Sequence, residues 1–242
     1  MAKLIVPLYS RKAREANPYE DDEFLAAFPQ GLRPGGLALT QEALDFCQFP
    51  PGAFLLDVGC GPGATIQFLS QAGFRVLGFD KSDKLLELAS QKGPVQKASF
   101  ESLPVADQIA DGLFCECVLS LAQDKGQVLG ELRRVLKPGG FAIISDLLRK
   151  TPEIPLKPAN FAPPTCAAGA IDYKSLEKLI INAGFKVSYR QNHEKALRSL
   201  AASLVWRYGS LERLAMLWPG DAVGCLGGKN LTYGLIVAQR VA

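Results

Sequence analysis

Residues 54–64 constrain the fold of this chain more than any other stretch. The apolar run Phe54-Leu55-Leu56 passes through Asp57-Val58 into Gly59-Cys60-Gly61-Pro62-Gly63-Ala64, and a helix-period segment follows. Glycines at 59, 61 and 63 clear side chains from a strand-to-helix turn, so a ligand can approach bare backbone at a helix N-terminus. The same alternation continues downstream. Predicted strands span Ala53–Val58, Phe74–Phe79, Pro94–Ala98, Leu113–Cys117 and Gly140–Ser145, with helices Ala64–Ala72, Asp83–Lys92 and Gln127–Leu136 between them. A helix at Tyr173–Ala183 and strands at Phe185–Tyr189 and Leu231–Arg240 complete the pattern. Short apolar runs alternating with helical periods predict a doubly wound α/β sheet, Rossmann-like, with helices on both faces in three α/β/α layers.

The 242 residues form one expected domain, 1–242, and three segments stand outside the alternation. These are residues 1–38, the proline-rich stretch 147–171 and a helical insert at 194–228 within the C-terminal part 172–242. Ligands collect at the carboxyl ends of strands in open α/β sheets, so all three are candidate walls or lids there. In the insert, Leu197, Leu200, Ala201, Leu204 and Val205 recur at helical spacing, which reads as core packing. Trp206, Tyr208, Trp218 and Tyr233 are candidate aromatic walls, although such residues are commonly core.

Charge and cysteine content exclude several classes. A net charge of +3, from 27 basic and 24 acidic residues, is too small to require a polyanionic partner, and Arg133, Arg134 and Lys137 read as the wet side of a helix. No nucleic-acid partner is expected. No apolar run reaches the 18 residues of a membrane span, and Met1–Leu8 lacks a signal-peptide core, so a cytoplasmic protein without membrane attachment is the expectation. Six cysteines without a CxxC pair, beside the single histidine His193, read as reduced thiols with no metal site.

The glycine loop alone leaves two ligands open, because Gly59, Gly61 and Ala64 also satisfy the GxGxxA dinucleotide pattern of a nicotinamide oxidoreductase. Position of charge separates them. Asp57 beneath the loop would repel a pyrophosphate and suits a cationic amino group. Asp80 follows the second strand at 17 residues beyond Gly63, where a carboxylate can accept from both ribose hydroxyls. Capping the next helix is the alternative for Asp80, but Ser82 already stands in that place.

Four motifs in order, Leu55–Gly63, Gly78-Phe79-Asp80-Lys81-Ser82, Glu101-Ser102-Leu103-Pro104 and Leu136-Lys137-Pro138-Gly139-Gly140, resemble a class I S-adenosylmethionine-dependent methyltransferase, in the small-molecule branch of ubiquinone and menaquinone biosynthesis. The resemblance implies a seven-stranded sheet, mostly parallel with the last strand antiparallel, and a cofactor-binding core at 39–146. It also implies S-adenosylmethionine as cofactor, S-adenosylhomocysteine as product and a small-molecule methyl acceptor. Carried over by position, Asp57, Gly59, Cys60, Gly61 and Gly63 go to the methionine moiety and Asp80 to the ribose. Lys81, Ser99 and Phe100 go to the adenine edge. The chain departs from the family at Ser99, where an acidic residue is usual and a serine accepts less strongly.

Methyl transfer from a sulfonium is an in-line displacement that needs positioning more than a protein nucleophile. Glu116, in the apolar run Phe114–Val118, is the leading catalytic candidate. As a buried charge it must have a partner, as a structural ion, a ligand for the donor's amino group or a base toward the acceptor. Asp146, ending the fifth strand, and His193, after the sixth, are further catalytic candidates, each with a structural alternative. Arg33, in the turn before the first core helix, can face the acceptor or form a surface ion pair. Cys115, Cys117, Cys166 and Cys225 would, if they converged, bind a soft ion such as trivalent arsenic. Two alternatives to small-molecule methyl transfer therefore stand: an arsenite-type thiol-dependent methyltransferase, and a non-catalytic module that binds S-adenosylmethionine.

Overall fold

A computed structural model describes residues 18–28, 33–152, 166–210 and 230–241. Two N-terminal helices, α1 (Asp22–Ala27) and α2 (Leu37–Cys47), precede β1 (Phe54–Val58), α3 (Ala64–Gln71), β2 (Arg75–Asp80), α4 (Asp83–Ser90) and β3 (Val95–Lys97). There follow β4 (Ala110–Glu116), α5 (Lys125–Val135), β5 (Leu136–Arg149), α6 (Tyr173–Asn182), β6 (Phe185–Asn192), α7 (Glu194–Tyr208) and β7 (Leu231–Arg240). The seven strands form one sheet in the order β3-β2-β1-β4-β5-β7-β6. Neighbours are parallel from β3 to β5, and β7 runs antiparallel to both β5 and β6. This is the expected mostly parallel sheet with its last strand antiparallel.

Strand alternation builds the layers. Leu56, Leu113, Cys115 and Ile144 face Val128, Leu129 and Leu132 of α5 and Leu176 and Ile180 of α6. Their neighbours Leu55, Phe114 and Ile143 face Ala43, Leu44 and Cys47 of α2 and Ile66 and Leu69 of α3. Both faces of the central strands are covered, as a parallel sheet requires. Short polar caps set the helix starts: Ser82 Oγ accepts from Leu85 N, Asp124 from Gln127 N and Asp172 from Ser175 N.

Several boundaries differ from the sequence reading. β5 begins at Leu136, not Gly140, because Leu136 pairs with Ala110 before a register shift, and it continues past Ser145 to Arg149. Its partner β7 imposes the extension, pairing Asp146 with Gly234 and Arg149 with Leu231. Asp146 therefore lies within the strand, and the start of the expected 147–171 insert is sheet. Residues 1–17, most of 147–171 and the end of the 194–228 insert, with Trp218 and Cys225, lie outside the described residues. Within α7, Leu197, Ala201 and Leu204 are buried as expected, but Trp206 is 92% exposed. Tyr233 is fully buried and donates to Ser145 Oγ at 3.1 Å. Neither aromatic lines a ligand wall. Among the described residues no helix is long and apolar enough to cross a membrane.

Candidate active site

The glycine loop is shaped by its own strand neighbour. The amides of Gly59 and Cys60 both donate to the Phe79 carbonyl at 2.8 Å, which folds the chain over the tip of β2. Gly63 then starts α3 with φ +81°, and a Cβ there would stand 3.0 Å from the Ala89 backbone. Only glycine combines that left-handed conformation with so close an approach to α4.

Above the carboxyl ends of β1, β2 and β4 lies a cleft open to solvent on one side. Its rim is Gly59, Cys60, Gly61, Asp80 and Lys81, its apolar side includes Phe79, Leu85, Ala98 and Phe100, and its far end is Glu116, Cys117 and Val118. Tyr19 and Arg33, from the N-terminal segment, close that far end. Apolar walls with a few convergent polar groups at a strand-tip crevice are the make-up of a small-ligand site.

Charge inside the cleft is organised by β-strand tips. Asp80 accepts from the amides of Gly61 and Ser82, both at 2.9 Å, which braces the loop against the start of α4. Burial raises its carboxyl above the usual range despite those bonds. Asp57 lies beneath the loop, 3% exposed, and its Oδ2 has no hydrogen-bond partner. Desolvation, reinforced by Glu116, holds its carboxyl well above its ordinary value, and the Arg33 guanidinium opposes the shift.

Glu116 falls on the sheet face covered by α2 and α3, so its charge must be met there. Arg33 Nη2 stands 2.9 Å from Glu116 Oε2, with both side chains no more than 6% exposed. Thr40 Oγ1 donates to Oε1 at 3.0 Å and Thr65 Oγ1 to Oε2 at 2.9 Å. Arg33 Nη2 in turn donates to Thr40 Oγ1 at 2.6 Å and Thr65 Oγ1 at 3.0 Å. Both carboxylate oxygens are thus occupied. Arg33 Nε is a buried donor without a partner, an orphan opposite in sign to Asp57 Oδ2.

The fold brings together Gly59, Cys60, Gly61, Asp80, Lys81, Phe100 and Glu116 around one cleft, with Asp57 behind it and Gly63 at its base. Ser99 is exposed and hydrogen-bonded to the Glu101 carboxylate, outside the cleft lining. Asp146 is also elsewhere: it accepts from Ser120 N at 2.8 Å, Ser120 Oγ at 2.7 Å and Leu147 N at 2.7 Å, beside a smaller pocket shared with Lys125. Burial pushes its carboxyl up to about 6 against those bonds. His193 precedes α7, and its Nε2 lies 3.2 Å from Glu42 Oε1, which also accepts from Tyr189 OH. It ties α2 to β6 and is not part of the cleft.

Sequence reading left Arg33 between facing the acceptor and a surface ion pair, where the structure makes it a buried ion pair at the cleft's end, and did not single out Thr40, Thr65 or Tyr19. The available signal was a threonine at a core-facing position of each of α2 and α3, since a hydroxyl there must find a polar partner. The cysteines separate. Cys115 is sealed in the core facing α5, whereas Cys117 leaves the strand with φ +60° and meets Cys166 instead.

The family described as "Methyltransferase domain" matches residues 56–144. An arsenite methyltransferase of Halobacterium salinarum is 29% identical over 155 residues, covering 58% of this chain and 39% of that protein. The chain spans about two-fifths of the length of the first curated relatives it matches. Among solved structures, the [4+2]-cyclase SpnF superposes with a TM-score of 0.73 at 18% identity over 90% of both chains. A Haemonchus contortus phosphoethanolamine N-methyltransferase 2 bound to S-adenosylhomocysteine gives 0.70 at 16% identity, over 90% of this chain and 56% of that one. Residues 56–144 are a methyltransferase domain, in a chain with the class I S-adenosylmethionine-dependent fold, and S-adenosylmethionine is the cofactor of that class.

Proposed function

We propose that this class I S-adenosylmethionine-dependent methyltransferase transfers a methyl group to a small-molecule acceptor held at the Glu116–Val118 end of the cleft. The observation that carries this reading is that two buried polar atoms of opposite character lack a hydrogen-bond partner here, Asp57 Oδ2 beneath the glycine loop and Nε of Arg33, which lines the far end of the cleft. They complement the ammonium and carboxylate of an amino-acid moiety, and a buried unpaired polar atom costs about 1–3 kcal/mol until a partner arrives. In this reading Asp80, at the tip of β2, accepts from the ribose, and the cleft-lining Leu85, Ala98 and Phe100 flank the adenine. Asp57 serves through its potential behind the Gly59–Gly61 backbone.

The cofactor supplies an electrophilic methyl group on a sulfonium. The chain supplies enclosure and orientation. Because Glu116 already receives Arg33, Thr40 and Thr65, its role is that of a positioning residue that anchors the N-terminal segment over the cleft. It is not a free base. A largely apolar cleft, without a dense basic stripe in the sequence, favours a small acceptor over a nucleic acid. Of the four-thiol arrangement for a metalloid acceptor, only the Cys117–Cys166 half is assembled among the described residues.

Calorimetric titration with S-adenosylhomocysteine tests the cofactor site. Saturable one-to-one binding, weakened in Asp80→Asn, is expected, and indifference of the folded protein to that ligand refutes the reading. Incubating the loaded protein with metabolite extracts separates the enzyme from a binding module: the enzyme accumulates S-adenosylhomocysteine, the module does not.

A further inference from the structure

Two thiols 49 residues apart in sequence meet just behind the far end of the cleft: Cys117 lines it, and its thiol approaches the sulfur of the buried Cys166 at 3.9 Å. The turn that carries Cys166 is pressed onto the backbone after β4. Gly169 lies so close to the Ser120 carbonyl that any Cβ would overlap it. Tyr19, which lines the cleft beside Cys117, places its hydroxyl 3.0 Å from Cys166 Sγ. The other described thiols, Cys47, Cys60 and Cys115, are packed in the two sheet-face cores and do not join the pair.

We propose that Cys117 and Cys166 form a two-thiolate site for a soft, thiophilic centre, so that the acceptor class of this cleft is a compound bearing such a centre. The inference rests on the methyl-transfer reading for its biological meaning and on the sulfur geometry for its chemistry. Bonds of about 2.3 Å to one soft centre hold two thiolates roughly 3.4–3.8 Å apart, from pyramidal to tetrahedral geometry, so the 3.9 Å found here needs only a small approach. Closing a disulfide needs about 2.05 Å, so the sulfurs would have to move together by nearly half their separation. Thiolates select soft ions over the hard cations that carboxylates prefer. Bonds from the Cys117 thiol and the Tyr19 hydroxyl lower the Cys166 thiol, so its sulfur is the first of the pair to lose its proton.

Phenylarsine oxide is the probe. Two S–H bonds break and two arsenic–sulfur bonds form, and both protons leave with the arsenic-bound oxygen as one water. Arsenic stays trivalent. Intact-protein mass spectrometry and thiol counting on the reduced full chain should show one phenylarsenic per chain and the loss of two thiols. Cys117→Ser and Cys166→Ser should each weaken capture by about 10²–10⁴-fold, because the second bond is intramolecular only in the pair. Cys47→Ala should bind as the parent does.

Equal capture by either serine variant, or no capture by the parent, overturns the proposal. So does a parent that hydrogen peroxide converts to a Cys117–Cys166 disulfide while it leaves the arsenical unbound. Titration with S-adenosylhomocysteine on the same samples separates the two claims. Normal nucleoside binding without arsenical capture sinks this inference alone, and loss of nucleoside binding in the folded parent sinks the methyl-transfer reading.

Discussion

Replacing Arg33 with methionine tests whether the buried ion pair holds the N-terminal segment to the β4 tip. Met keeps much of the side-chain volume but leaves the Glu116 carboxylate, 3% exposed, facing only the hydroxyls of Thr40 and Thr65. Breaking a buried pair by removing one partner costs about 3–5 kcal/mol, because the remaining charge is desolvated and uncompensated. For a chain of this length, each kcal/mol lowers Tm by roughly 2–4 °C, so Arg33→Met should melt about 6–20 °C below the parent. Glu116→Leu leaves the guanidinium stranded and should cost a similar amount. The double variant removes both charges, and its loss should be smaller than the sum by at least ~2 kcal/mol, as for contacting residues in one network. Urea unfolding of the four proteins measures the cycle. The reasoning fails if Arg33→Met costs under ~1 kcal/mol, or if the two single costs add within about 0.5 kcal/mol.

Three further outcomes follow from the same geometry. Asp80→Asn should weaken S-adenosylhomocysteine binding about ten- to a hundredfold, the worth of one charge-assisted hydrogen bond, and unchanged calorimetric affinity would remove Asp80 from the site. Gly63→Ala forces a Cβ into the left-handed region 3.0 Å from the Ala89 backbone and should destabilise by about 2–3 kcal/mol in urea unfolding, whereas a neutral result would mean α4 gives way freely. Asp146, pushed up to about 6, binds a proton in the folded chain that the unfolded chain releases near pH 4. Stability should therefore fall as pH rises from about 4 to 6, by at most ~3 kcal/mol from this group, and Asp146→Asn should flatten that slope; parallel slopes would contradict it.

The seven strands were legible because each buried run carries its own local signature of apolar residues bounded by glycine or proline, and β7 was bounded correctly from that alone. The length of β5 was not legible. Residues 146–149 are strand because β7 pairs with them, and that partner lies some 85 residues away in sequence. The glycine loop and Asp80 were readable for the same local reason as the strands: their geometry is set within one strand-turn-helix unit. Arg33 and Glu116 mark where local reading stops. A turn arginine ordinarily finds water, and this one is buried because α2 and α3 each turn a threonine toward the carboxylate on β4, at separations of 76 and 51 residues. The consequence reaches the chemistry. The sequence left Glu116 open as structural ion, donor ligand or base, and the three donors from three segments that meet it favour the structural clasp. What the chain then supplies at this end of the cleft is enclosure and orientation, held by a clasp that joins α2, α3 and the turn at Arg33 to the tip of β4.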